Sequence, residues 1–234
     1  MIRVKRIQEI YPTLFTWGNL LSGALAAYLA AKGLAVGPVL GLMAFSNFLD
    51  ILDGLVARYV FRNYSDQDKK SWSDFGTSLD GCADIISYGM VGSAVLAFAA
   101  DVVWLPLFAV PFLAAMSFRL SRGGSEKLAR GHFAGLPSNV AGIALVATVG
   151  TLGPLVAAPI ALLLSVLMVT ELPYPHLNRW VTDRKLDGII HIAAGVVAAS
   201  LWPDPVAGFF LGAVIWHIIF VPVLILRRGS YLKT

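Results

Sequence analysis

The sequence predicts an all-α protein, a polytopic bundle of about eight membrane-spanning helices in a single domain over residues 1–234. Two observations lead to this prediction. Of the 234 residues, 57% are hydrophobic and only 14% are charged, and the mean hydropathy is +0.74, which is far from the balance of an ordinary soluble domain. The Lys and Arg residues also fall almost entirely in alternate connecting segments, as they do in proteins that span a bilayer.

Apolar stretches of membrane-spanning length recur along the whole chain. A spanning helix needs about 20 mostly apolar residues, and stretches near that length are separated here by short connections. No flexible linker, low-complexity tract or repeat divides the chain, which favours one membrane domain. The predicted spans are residues 13–33, 37–61, 78–100, 103–122, 136–152, 154–171, 187–202 and 206–227.

The basic residues predict the orientation of these spans. Lys and Arg gather in cytoplasmic loops, and with a cytoplasmic N-terminus only Lys32 of the 18 basic residues lies on the outer side. An odd number of spans would place Arg227 and Arg228 outside, so an even number is favoured. We therefore expect an integral protein of the cell (plasma) membrane with both termini on the cytoplasmic side.

The composition also excludes several classes of function. The net charge of +4 is explained by topology and by attraction to anionic lipid headgroups. The sequence has no soluble basic stripe or aromatic RNA-binding motif, so nucleic acid is not a predicted partner. Cys82 is the single cysteine, which excludes an internal disulfide and a CxxC metal site.

Four aspartates in two neighbouring spans are the strongest functional signal. An Asp at a helix centre costs roughly 2.5–3.5 kcal/mol on insertion scales, so acids within spans indicate function. Asp50 and Asp53 are three residues apart and Asp80 and Asp84 are four apart, so each pair shares one helix face. For any one of them, a residue that reaches water at the interface is the structural alternative. The spacing of all four favours a site for divalent metal.

The segment between the two pairs predicts how they meet. Residues 59–75 are polar and must form a cytoplasmic hairpin, so the third helix returns antiparallel to the second. Mg²⁺, Mn²⁺ and Ca²⁺ prefer oxygen ligands, and a diphosphate substrate can complete such a site. Gly54, Ala57 and Gly76 allow a bulky ligand to approach the helices, and Arg58 offers a fork of donors suited to phosphate.

These residues resemble the signature of the CDP-alcohol phosphatidyltransferase family. The matching positions are, in order, Asp50, Asp53, Gly54, Ala57, Arg58, Gly76, Asp80 and Asp84. The 17-residue spacer from Arg58 to Gly76 is longer than usual in that family, which predicts an extended hairpin that could act as a lid. The resemblance implies a six-helix core, an active site at the cytoplasmic side and a homodimer. It also implies transfer of a phosphatidyl group from a CDP-linked lipid such as CDP-diacylglycerol to a small alcohol, with release of CMP.

The resemblance implies roles for individual residues as well. Asp50, Asp53 and Asp80 are expected to hold two divalent ions, Mg²⁺ or Mn²⁺ with Ca²⁺ as a further choice, and Asp84 is expected to act as a ligand or as the general base. The base role for Asp84 is favoured by its position deepest in the third span, where an acceptor is shielded from water. The CDP-lipid site is expected at Thr16, Asn19, Gly54, Ala57, Arg58 and Gly76.

Further residues resemble the bacterial and archaeal phosphatidylserine synthase branch, which implies L-serine as the acceptor. These residues are Pro12, Thr13, Thr16 and Asn19, together with the runs 118–122, 133–137 and 171–175; Gly123 and Gly124 depart from the branch. Arg119 and Arg122, three apart at the cytoplasmic end of the fourth span, are predicted to bind the serine carboxylate. Flanking positive charge is the alternative interpretation of both.

The residues leave two other functions open. The same transfer to glycerol 3-phosphate or inositol phosphate would use Arg119 and Arg122 for the acceptor phosphate. A cation transporter would also retain intramembrane aspartates, but it predicts acids strung across the bilayer and inverted repeats. The four acids lie instead beside one hairpin, which favours the transferase.

Overall fold

The structure is a computed structural model that describes residues 2–62, 64–122, 127–128, 132–175, 194–201 and 203–220. The helices are α1 (Ile2–Ala31), α2 (Val36–Phe61), α3 (Asp66–Asp84), α4 (Val91–Phe98), α5 (Pro106–Arg122), α6 (Ser138–Leu152), α7 (Pro154–Val169), α8 (194–201) and α9 (Pro205–Ile215). A π-helical turn, Ile85–Met90, joins α3 to α4, and a second one, Trp216–Phe220, extends α9.

The predicted membrane helical bundle is confirmed. Within the described residues, three helical stretches are long and apolar enough to cross a membrane: Ile10–Ala31, Val36–Phe61 and Asp74–Phe98. The helices α6, α7 and α9 are apolar but shorter. Each stretch predicted as a span contains helix, although residues 187–193, 202 and 221–227 of the last two lie outside the described part of the chain.

The outer surface of the bundle is rich in apolar side chains. Leu14, Leu21, Phe45, Val110 and Leu163 are each more than half exposed. Such a surface suits hydrocarbon, and helices satisfy their own backbone hydrogen bonds there. The hydrophobic composition is therefore explained by a solvent of lipid around the bundle.

Helix α6 lies at the centre of the bundle. It packs against α2, α4, α7 and α9, and its side chains are buried almost without interruption from Val140 to Val149. A helix that is apolar on every face is stable when neighbours enclose it. Close packing requires a glycine at one point, because a Cβ placed on Gly142 would lie 2.6 Å from the Tyr88 Cβ atom.

The π-helical turn follows directly after Asp84. It is confined between α6 on one side and α1 on the other, where a Cβ on Gly23 would fall 2.4 Å from the Ser87 Cα atom. Turns of this kind are single-turn bulges in α-helices and are frequent at functional sites. The turn therefore sits in a rigid setting that fixes the backbone next to Asp84.

A small antiparallel sheet, which the sequence did not predict, links two connections of the bundle. Its strands, in the order β1-β2-β3, are β1 (Lys127–Leu128), β2 (His132–Ala134) and β3 (Pro173–Pro175). After β2, Gly135 adopts φ +81° and its amide donates to the Leu172 carbonyl at 2.8 Å. This pairing ties the start of α6 to the segment after α7.

Candidate active site

Three of the four predicted acids meet at one point between α2 and α3. Carboxylate oxygens of Asp50, Asp80 and Asp84 lie within 4.8 Å of one another. The antiparallel return of α3 brings the two helix faces together, as the sequence predicts from the hairpin. We call Asp50, Asp80 and Asp84 the acid cluster.

The acid cluster has the chemistry of a site for a hard divalent cation. Carboxylate oxygens are the ligands that Mg²⁺, Mn²⁺ and Ca²⁺ prefer. The Oδ1 atoms of Asp80 and Asp84 are buried and have no hydrogen-bond partner among the described residues. Buried anionic oxygens without partners are costly, and a bound cation would remove that cost. The residues present therefore fit a metal ion.

Asp53 lies one helical turn beyond Asp50 and has a partner from another helix. The Thr16 hydroxyl on α1 donates to Asp53 Oδ2 at 2.7 Å. Asp53 is not a member of the three-residue cluster, but it lines a cavity together with Asp80. The structure thus sets Asp53 at the border between the acid cluster and that cavity.

Asp84 receives contacts from two helices that the acid motif does not include. The Ser138 hydroxyl, in the first turn of α6, donates to Asp84 Oδ2 at 2.9 Å. The Arg119 guanidinium of α5 is near enough to attract the Asp84 carboxylate electrostatically. These contacts hold Asp84 by charge and by hydrogen bonding.

A cavity of about 430 Å³ opens beside the acids, between α1, α2 and α3. A volume of this size falls in the range of small-molecule sites, about 300–1,000 Å³. Five of the six residues predicted for the CDP-lipid site line it: Thr16, Gly54, Ala57, Arg58 and Gly76. The other lining residues are Pro12, Thr13, Asp53, Phe61, Trp72, Phe75, Thr77, Leu79 and Asp80.

The small residues along the cavity keep it open. A Cβ on Gly76 would meet no atom within 4 Å, and one on Gly54 would meet only the Arg58 Nη1 atom, at 3.5 Å. Neither glycine is therefore required for packing between helices, in contrast to Gly142. Their lack of a side chain leaves room for a ligand.

Asn19, the sixth residue predicted for the CDP-lipid site, does not line the cavity. It is fully buried, and its side-chain oxygen accepts hydrogen bonds from Ser46 of α2 and Ser87 of the π-helical turn. Asn19 thereby connects α1 to α2 and to the π-helical turn.

The two predicted acceptor-binding arginines occupy different environments. Arg119 lies partly buried beside Asp84. Arg122 lies one turn later, donates to the Val169 carbonyl at 3.2 Å and extends over the Phe118 ring. Arg119 therefore lies next to Asp84, whereas Arg122 connects the end of α5 to the end of α7.

The structure adds polar residues that the sequence analysis missed. Asn139 of α6 donates to the Asn47 side-chain oxygen at 2.9 Å, and the Tyr88 hydroxyl lies 3.5 Å from the same oxygen. Asn47 precedes Asp50 by three residues and so shares its helix face. That spacing could have predicted Asn47 as a neighbour of Asp50, whereas no comparable pattern points to Ser138 or Asn139.

Comparison with known proteins adds two similar sequences, while no family model matches the chain. The CDP-diacylglycerol–serine O-phosphatidyltransferase of Bacillus subtilis is 29% identical over 183 residues, which cover 76% of this chain and 96% of that protein. The archaetidylserine synthase of Methanothermobacter thermautotrophicus is 30% identical over 177 residues, which cover 71% of this chain and 70% of that protein. Both similarities extend over most of the bundle.

Proposed function

Because the chain belongs to the CDP-alcohol phosphatidyltransferase family, in its phosphatidylserine synthase branch, we propose that it transfers a phosphatidyl group from CDP-diacylglycerol to L-serine and releases CMP. The observation that carries this proposal is the acid cluster beside a cavity that five of the predicted CDP-lipid residues line. The names of both relatives contain serine, and they differ in the lipid part.

The cavity is the proposed site of the CDP group. Gly54, Ala57 and Gly76 leave space along the two helices, and Arg58 offers its guanidinium to the diphosphate. Thr16 fixes Asp53 at the entrance to the acids. Asn19 contributes from behind, by holding α2 and the π-helical turn against α1.

The acid cluster is the proposed metal site, with Asp53 beside it. Asp50, Asp53, Asp80 and Asp84 would hold two divalent ions, Mg²⁺ or Mn²⁺ with Ca²⁺ as a further choice. Such ions, when bound, neutralise charge on the diphosphate and on the leaving phosphate. The remaining work of the protein is to position the reacting groups in line, as in other phosphoryl transfers.

Asp84 is the proposed general base. The serine hydroxyl oxygen attacks the lipid-side phosphorus, its proton moves to the Asp84 carboxylate, and the bond from that phosphorus to the bridging oxygen breaks, so that CMP leaves. Ser138 and Arg119 orient the carboxylate for this transfer. A base must lie within hydrogen-bond reach of the proton that it removes, and the unpartnered Oδ1 atom is available for that contact.

The acceptor is proposed to bind between α5 and the acids. Arg119 would pair with the serine carboxylate close to Asp84, and Arg122 would add positive charge one turn away. Glycerol 3-phosphate and inositol phosphate would present a phosphate to the same guanidinium groups, and they are the alternative acceptors. A cation transporter is the alternative from another class.

The proposed setting is the plasma membrane, with both termini and the active site on the cytoplasmic side. The placement of the basic residues supports this orientation. We also propose a homodimer, by analogy with the family.

The function is tested with the purified full-length protein in detergent or lipid nanodiscs with Mg²⁺ or Mn²⁺. CMP release is measured with CDP-diacylglycerol and, in turn, serine, glycerol 3-phosphate or inositol phosphate; a parallel series uses the archaeal ether-lipid analogue. We expect serine-dependent CMP release. CMP release with another acceptor, and none with serine, would reject serine as the acceptor while retaining the transferase.

The role of Asp84 is tested in the same assay. Asp84→Asn removes the proton acceptor, so transfer should be abolished while the unfolding temperature is retained. Asp101→Asn is the matched control, because Asp101 is exposed between α4 and α5. Transfer by the Asp84→Asn protein near the wild-type rate would refute the base role. Cation flux through the wild-type protein, without any CMP release, would favour the transporter.

A further inference from the structure

One end of the cavity is aromatic, and the proposed function assigns no role to it. Phe61, Trp72 and Phe75 border the cavity there, and we call them the aromatic wall. The rings of Phe61 and Trp72 stack, with centroids 5.8 Å apart and planes 18° apart. The Phe75 and Trp72 rings make an edge-to-face contact, with centroids 5.9 Å apart. The indole of Trp72 is therefore in contact with the Phe61 ring of α2 and the Phe75 ring of α3.

The aromatic wall lies at a defined distance from the acids. Phe61 follows Asp53 by eight residues on α2, and Trp72 precedes Asp80 by eight residues on α3. Each spacing corresponds to about 12 Å along a helix at about 1.5 Å per residue. The cavity thus runs from carboxylates, past small residues and the Arg58 guanidinium, to a surface of aromatic rings.

Resting on the proposed function, we propose that Trp72, held by Phe61 and Phe75, is the surface on which the nucleobase of the CDP-lipid stacks. With the diphosphate at the acids and Arg58, a ribose and a base extend along the cavity toward the wall. Every base has a flat π face, and aromatic side chains bind it by stacking. Trp72 is thereby a specificity-determining residue for the nucleotide half of the substrate, and it lies in the first turns of α3, within the long spacer between Arg58 and Gly76.

A lipid acyl chain is the other apolar group that could meet these rings, and the position of the wall disfavours it. The wall lies where α2 ends and α3 begins, next to the polar hairpin that includes Arg62 and Asp66. The apolar centres of both spans lie in the opposite direction along the helices. An acyl chain would have to leave the hydrocarbon to reach Trp72, whereas a nucleoside enters from the aqueous side.

The test measures binding of two ligands that lack acyl chains, CDP and inorganic pyrophosphate, by calorimetry with the full-length protein and Mg²⁺. Trp72→Ala should weaken CDP binding about 5- to 140-fold, which corresponds to about 1–3 kcal/mol per stacked base at about 1.4 kcal/mol per tenfold. Pyrophosphate binding should be unchanged, since pyrophosphate has no base. Trp72→Phe should retain most of the CDP affinity, and Trp72→Leu should lose it as Ala does.

Trp104→Ala is the matched control, because Trp104 makes a similar edge contact with Phe108, at 5.6 Å, and does not line the cavity. Equal losses for CDP and pyrophosphate in Trp72→Ala would overturn the proposal and assign Trp72 to maintaining the cavity. CDP affinity retained in Trp72→Leu would also overturn it, because any apolar side chain would then suffice. If Trp72→Ala does not fold, the comparison of CDP affinity between Trp72→Phe and Trp72→Leu decides between the two outcomes.

Failure of this proposal and failure of the proposed function are distinguishable. Wild-type protein that catalyses serine-dependent CMP release, with CDP affinity unaffected by Trp72→Ala, would retain the transferase and reject stacking on Trp72. Wild-type protein that binds no CDP would reject the proposed function, and the stacking with it.

Discussion

The contact between Ser138 and Asp84 offers a sharp test of how the proposed base is oriented. The Ser138 hydroxyl donates to Asp84 Oδ2 at 2.9 Å, while Oδ1 has no hydrogen-bond partner among the described residues. A hydrogen bond to a charged group contributes about 1.5–3 kcal/mol, which is about 10- to 150-fold in rate at about 1.36 kcal/mol per tenfold. Arg119 continues to attract Asp84 in the variant, so we expect Ser138→Ala to lower kcat about tenfold, near the low end.

The assay is CMP release at varied serine and varied CDP-diacylglycerol, which separates kcat from both KM values. Ser138→Thr should restore much of kcat, because it keeps the hydroxyl. Ser165→Ala is the control, since the Ser165 hydroxyl bonds the Ala161 carbonyl within α7. If Ser138→Ala retains kcat within about twofold of wild type, which is less than the smallest net contribution of a hydrogen bond, about 0.5 kcal/mol, the orientation of Asp84 does not depend on Ser138 and the reasoning fails.

Three further predictions concern the metal site, the packing of α6 and the effect of pH. Asp50→Asn removes one carboxylate of the acid cluster, so Mn²⁺ affinity measured by calorimetry should fall at least about tenfold, and more Mn²⁺ should be needed to restore transfer after chelation. Gly142→Ala places a Cβ 2.6 Å from the Tyr88 Cβ atom of the π-helical turn, and overpacking of about 1–3 kcal/mol should lower the unfolding temperature. Burial raises the pKa of the Tyr174 hydroxyl from 10.0 to about 12. The neutral hydroxyl therefore contributes fully to the free energy of unfolding below about pH 10, and this contribution is lost as the pH rises through about 12. Tyr174→Phe should remove that loss of stability at high pH.

Each of these predictions has a control and a contrary outcome. Unchanged Mn²⁺ affinity in Asp50→Asn, measured beside Asp101→Asn, would remove Asp50 from the metal site. Gly41→Ala adds a Cβ with nothing within 4 Å, so equal unfolding temperatures for the two glycine variants would refute the packing argument. Identical alkaline unfolding of wild type and Tyr174→Phe would show that Tyr174 does not control that transition.

The sequence predicted the bundle and the acid cluster because both depend on local spacing. Residues three or four apart on a helix share a face whatever the rest of the chain does, so Asp50 and Asp80 were readable from the sequence. The polar hairpin then required an antiparallel return, which brought the two faces together. Apolar stretches of spanning length likewise carry their own signal.

Contacts between distant elements could not be read in this way. Ser138 lies 54 residues after Asp84, and only the packing of α6 against the π-helical turn brings the two together. Asn19 and Thr16 both match the family resemblance, and they lie one helical turn apart on α1. Thr16 lines the cavity, whereas Asn19 is buried in hydrogen bonds with Ser46 and Ser87. The strands of the sheet have two or three residues each, too few for an alternating pattern to be recognised.

The π-helical turn after Asp84 has a consequence for the length of the third helix. An ordinary spanning helix that loses one residue becomes about 1.5 Å shorter, and one end rotates by about 100°. Here a deletion within Ile85–Met90 would instead be absorbed by conversion of the π turn to regular α-helix, so that Asp80 and Asp84 keep their orientation relative to the rest of the span. A single-residue deletion scan of this span should therefore show loss of transfer concentrated in the α-helical turns on either side of Ile85–Met90, and less loss within these six positions.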